Sequence, residues 1–89
     1  MPQVLVYSAG YCVFCDRAKS LLARKGVAFT EVHVDLDRAR REEMVARSGR
    51  SAVPQIFIGA RHVGGFAELY ALERAGALDA LLVARDRDG

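Results

Sequence analysis

Two cysteines separated by two residues stand where a short apolar run gives way to a helical pattern. Cys12-Val13-Phe14-Cys15 follows the run Gln3 to Ser8, whose Val4, Leu5, Val6 and Tyr7 read as a buried strand. After the loop Ala9-Gly10-Tyr11, the residues Phe14, Ala18, Leu21 and Leu22 recur on one helical face from Val13 to Lys25. Gly26 is placed to end that helix as its C′ residue. A CxxC that closes a strand and opens a helix inside a βαβ unit reads as a redox motif.

The rest of the chain supplies the unit. Val27, Phe29, Val32 and Val34 suggest a second strand. Asp35 or Asp37 can cap a second helix that turns Met44 and Val45 inward and ends near Gly49. Pro54 opens a third strand, Gln55 to Ile58, and Gly59-Ala60 is a hairpin-sized link to a fourth, Arg61 to Val63. A last helix with Leu69, Leu72 and Leu78 follows Gly64-Gly65, with Gly76 as a candidate break. The tail Arg85 to Gly89 is polar and expected to fray. The order βαβαββα gives one parallel pair with a right-handed crossover and a later antiparallel hairpin. The expected fold is α/β, a mixed sheet of four strands flanked by three helices, with residues 1–89 as one domain.

Size and composition agree. A chain of 89 residues hides roughly 60% of its unfolded surface on folding. Its 52% apolar content is enough to build a core and argues against disorder. The 13 basic and 11 acidic residues leave a net charge of +2, too weak a field to make nucleic acid the main partner. The longest charge-free window, Val4 to Cys15, is shorter than the roughly 20 apolar residues a membrane span needs. No leader pattern is visible, so the expected location is cytoplasmic. There, a cysteine pair is more often catalytic or metal-binding than structural.

The spacing assigns different roles to the two thiols. Cys12 falls at the helix N-terminus, where unpaired N–H groups and the helix dipole favour a thiolate. Arg17 and Lys19 add positive potential, which Asp16 partly cancels. Cys15 lies about one turn deeper. Cys12 is therefore the expected attacking thiol and Cys15 the resolving one. Lowering a thiol pKa from about 8.5 to about 5 raises its thiolate fraction roughly thirtyfold at pH 7. Nucleophilicity falls about fortyfold over the same shift, so the larger gain is a better leaving group. A lone CxxC is also half of a four-ligand zinc site. The remaining candidates, His33 in a strand and His62 in the hairpin, do not obviously converge on it, and no metal is expected.

With these residues in place, the chain resembles the glutaredoxins, in particular the small bacterial dithiol members, over nearly its whole length. The resemblance rests on Val6-Tyr7-Ser8 and on Cys12-Val13-Phe14-Cys15-Asp16-Arg17-Ala18-Lys19-Ser20-Leu21-Leu22. It continues through Arg41-Glu42-Glu43-Met44, Arg47-Ser48-Gly49-Arg50, Val53-Pro54-Gln55-Ile56-Phe57-Ile58 and His62-Val63-Gly64-Gly65. It implies a thioredoxin-like (glutaredoxin) fold, glutathione as reductant and co-substrate, and reduction of protein disulfides and glutathione mixed disulfides. It also implies a cis Val53-Pro54 bond, although only about 5–6% of X–Pro bonds are cis.

The site implied for glutathione comprises Tyr11, Val13, Phe14, Ala52, Val53, Pro54, Gly64, Gly65, Phe66 and Ala67, with Arg41 (or Arg38) meeting the glycine carboxylate. Val53 would present its backbone as an added strand. Gly64-Gly65 and the following amides would receive the γ-glutamyl carboxylate at a helix N-terminus. Arg38, Arg40 and Arg41 can equally form a solvated face with Arg38–Glu42 as an i,i+4 pair. Tyr7 and Phe57 read as core and His62 as ordinary. Four positions depart from the family pattern. Val13 replaces a common Pro, Ala9 a common Lys, Ala52 a frequent Thr, and Phe66-Ala67 a Cys or Thr followed by Asp or Ser.

Two other functions fit the residues. One keeps the chemistry but takes electrons from thioredoxin reductase and passes them to ribonucleotide reductase, as in redoxins that share Val after the first Cys and a Gly-Phe pair. The other is a binding module in which two chains share a [2Fe-2S] cluster through Cys12 and glutathione. The default assembly is a monomer.

Overall fold

The computed structural model describes residues 2–83. The tail Arg85 to Gly89 lies outside them. The elements are β1 (Val4–Ser8), α1 (Val13–Arg24), β2 (Thr30–His33), α2 (Arg38–Ser48), β3 (Gln55–Ile58), β4 (Arg61–Gly64), α3 (Phe66–Arg74) and α4 (Leu78–Val83). The sheet order is β2-β1-β3-β4, with β1 parallel to β2 and antiparallel to β3, and β3 antiparallel to β4.

Strand alternation sends side chains to both faces of the sheet, and each face has its own helical cover. Val4, Val6, Ile56 and Ile58 pack with Ala18, Leu21 and Leu22 of α1, Leu69 of α3, and Leu78 and Leu82 of α4. Tyr7, Val32, Val34 and Phe57 pack with Met44 of α2 on the other face. Tyr7 is wholly buried, and its hydroxyl donates to Glu43 and accepts from Arg47 at 3.0 Å. Arg47 also lies over the Phe57 ring at 4.2 Å, so α2 is fixed to the sheet by polar as well as apolar contacts.

Two boundaries differ from the hydrophobic pattern for the same reason. The N–H of Gly26 returns to Ala23 O and that of Val27 to Leu22 O, the paired bonds of a Schellman ending. Val27 is thus the apolar residue that closes α1, and β2 begins only at Thr30. The bonds repeat at Gly76 to Glu73 O and Ala77 to Leu72 O, with Gly76 at φ 73°, a conformation glycine adopts without steric cost. The last helical pattern is consequently two helices, α3 and α4. Of the two acids that could cap α2, Asp37 accepts from the N–H groups of Ala39 and Arg40. Asp35 instead holds the Gly10 N–H at 3.0 Å, tying down the loop before the cysteines.

Candidate active site

The cysteines sit where β1 hands over to α1. Cys12 is the N-cap of α1, and its Sγ accepts the Cys15 N–H at 3.2 Å. It is partly exposed and faces the Val53 carbonyl at 3.9 Å. Cys15, one turn in, is completely buried. Both are free thiols.

Burial pushes the Cys15 thiol up from its ordinary 9.0 to about 12, with the Cys12 sulfur adding to the rise and a backbone hydrogen bond from Ala9 and the Lys19 cation opposing it.

The raised value has a consequence for stability. Between pH 9.0 and about 12 the unfolded chain has lost the Cys15 proton and the native protein keeps it. The native state then binds more protons, so stability is fully present below 9.0 and declines as pH rises, by up to about 1.4 kcal/mol per unit. Lys19 and Tyr7 are raised as well and act in the same direction. Urea unfolding of the reduced protein across this window is expected to give a steeper alkaline loss than in Cys15→Ser. Identical slopes would show that Cys15 does not carry this effect.

Beside the cysteines lies a groove of about 250 Å³. It brings together Phe14 from α1, Ala52-Val53-Pro54 from the loop before β3, and Gly65, Phe66 and Ala67 from the start of α3. The Val53–Pro54 bond is cis. Tyr11 and Val13 project into solvent outside the groove, and Gly64 is buried beneath its edge. Arg41 is exposed on α2 and does not line it. Arg38 is likewise exposed, 3.9 Å from Glu42.

Three groove residues were missed by sequence reasoning: Arg50, Gln55 and Glu68. Glu68 accepts the Gly65 N–H at 2.6 Å and pairs with Arg50 at 3.3 Å, and these donors hold its carboxyl below the usual range. A Gly followed three residues later by Glu is half of a capping box and could have signalled this. Gln55 is a polar residue in an otherwise apolar strand, which is a visible anomaly. Its amide donates to Ala52 O at 2.9 Å, and its carbonyl meets His62 Nε2 at 2.8 Å. His62 thus helps brace the Ala52-Val53-Pro54 loop. Among the described residues, no three His, Cys, Asp or Glu side chains are grouped to hold a metal ion.

A thioredoxin-like sheet with a Cys-x-x-Cys pair at a helix N-terminus, its first thiol partly exposed and its second buried, is the arrangement of a thiol–disulfide oxidoreductase. The glutaredoxin family profile matches residues 4–63. Glutaredoxin 3 of Escherichia coli K12 is 54% identical over 82 residues, covering 92% of this chain and 99% of that protein. The solution structure of a Brucella melitensis glutaredoxin superposes with a TM-score of 0.82 at 52% identity, covering 92% of this chain and 89% of that one. A buckwheat glutaredoxin–glutathione complex superposes with a TM-score of 0.83 at 28% identity, covering 91% and 76%. The chain belongs to the glutaredoxin family.

Proposed function

We propose that this oxidoreductase is glutathione-dependent and reduces protein disulfides and glutathione mixed disulfides. The observation that carries the reading is the groove beside Cys12, which combines a backbone edge at Val53 with the start of α3 and the cation Arg50. The tripeptide fits as an added strand along Val53. Phe66 and Ala67 stand at the first positions of α3, where N–H groups have no intrahelical partner and suit a carboxylate. Arg50 takes the carboxylate-binding role that the family resemblance gave to Arg41. The buckwheat complex supports glutathione as the ligand of a related groove.

In this reading, the Cys12 thiolate attacks the glutathione sulfur of a mixed disulfide and the protein thiolate leaves. A second glutathione thiolate then attacks the glutathione sulfur bound to Cys12. Oxidised glutathione departs and the Cys12 thiolate is restored. For a protein disulfide, Cys12 forms the mixed disulfide with the substrate. Cys15 then attacks the Cys12 sulfur and expels the second substrate thiolate. The resulting Cys12–Cys15 disulfide is reduced by two glutathione molecules. A cytoplasmic location belongs to the same proposal, since reduced glutathione is the thiol pool of that compartment.

The test supplies oxidised protein with glutathione and glutathione reductase, or separately with thioredoxin reductase, and follows NADPH consumption on a small mixed disulfide. Turnover is expected with the glutathione system. Turnover only with thioredoxin reductase would overturn glutathione dependence and favour the redoxin alternative.

A further inference from the structure

We propose that an aromatic stripe leading away from the groove docks the polypeptide that carries the substrate disulfide, and that it selects an acidic segment with an apolar or aromatic side chain. This rests on the redox reading above and names the substrate class for the same site. Phe14 and Phe66 stack at 6.1 Å and 27°, and Phe66 and Tyr70 at 5.7 Å and 23°. The i,i+4 spacing of Phe66 and Tyr70 places them along one side of α3. Phe14 and Phe66 also line the groove, so the stripe starts at the glutathione rim and runs outward. Phe14 remains 55% exposed and Tyr70 46%. Rings already stacked against one another are ordered before binding, which lowers the entropic cost of covering them.

The charge around the stripe specifies the partner. Arg17 lies 5.5 Å from the Phe14 ring centre and Arg74 6.0 Å from that of Tyr70. Arg24 and Arg74 border a second hollow beside Tyr70. The neighbouring lysines are neutralised: Lys25 by Glu73 and Asp79, and Lys19 by Glu31 and Asp16. Among the described residues, Arg17, Arg24 and Arg74 enter no ion pair. The outer end of the stripe is therefore cationic with an aromatic floor, the complement of carboxylates set beside an apolar side chain.

Two cysteine peptides test this, each blocked as a mixed disulfide with thionitrobenzoate. One flanks its cysteine with Asp, Glu and Phe, the other with Lys and Ser. Reduced protein is used without glutathione. Cys12 attacks the peptide sulfur and thionitrobenzoate leaves as a coloured thiolate; Cys15 then attacks the Cys12 sulfur and releases the peptide thiolate. The acidic peptide is expected to react at least tenfold faster, with the advantage shrinking as salt rises. In Arg24→Glu/Arg74→Glu the preference should disappear or reverse, while a hydroxyethyl–thionitrobenzoate disulfide reacts as before. Equal peptide rates beside normal reaction of the small disulfide would overturn the docking surface alone. A dimer seen by gel filtration and lost in the double variant would also overturn it, because the stripe would then bind a second copy. Failure of the small disulfide to react would overturn the redox reading itself.

Discussion

Cys12→Ser is expected to lower turnover of a glutathione mixed disulfide by at least about a thousandfold, because a hydroxyl at the N-cap supplies no sulfur to carry the intermediate. Cys15→Ser should stay within a few-fold of the parent on the same substrate. The asymmetry follows from their positions. Cys12 is partly exposed and receives the Cys15 N–H, whereas Cys15 is sealed in the core with its thiol pushed up to about 12. On a protein disulfide, loss of Cys15 should cost more, since the intramolecular exit from the mixed disulfide is gone. Coupled assays of both variants on both substrates check this. Activity without Cys12 would contradict the mechanism.

Gly64→Ala is expected to destabilise the protein by about 2–4 kcal/mol, summing backbone strain and a lost helix cap. For a chain this small, that lowers the melting temperature by roughly 10–25 °C. Gly64 has φ 116°, a conformation that side chains rarely adopt. An added Cβ would stand 2.5 Å from Glu68 Oε1 and 3.1 Å from its Cγ and Cδ. Glu68 would have to swing away, giving up the Gly65 N–H and weakening its pairing with Arg50. The groove would lose the ordered start of α3 with it, so the KM for glutathione should rise as well. A melting temperature within about 3 °C of the parent, with unchanged KM, would contradict this assignment.

Much of the architecture was legible where local chemistry and tertiary packing agree. The apolar run between Pro54 and Gly59 gave β3 with its observed limits, and the CxxC marked the start of α1. The pattern failed where a residue serves a neighbouring element. Val27 resembles a strand residue by hydrophobicity but closes α1, and Leu78 repeats the spacing of α3 while belonging to α4. The site shows the same limit. The Val53-Pro54 loop and the Gly65 helix start followed from the family pattern. Arg50 lines the groove because the chain turns at Gly49, where it leaves α2, and helix spacing alone does not show that turn's direction. Asp35 and Gln55 hold the loops at Gly10 and Ala52 through single hydrogen bonds that no spacing rule encodes.

In the proposed cycle, glutathione becomes covalently bound to Cys12 and leaves by attack of a second glutathione. Intact-mass measurement on Cys15→Ser treated with oxidised glutathione tests it most directly. One glutathione adduct is expected, cleared by reduced glutathione with release of oxidised glutathione. An unmodified protein, or an adduct that reduced glutathione cannot remove, would contradict it.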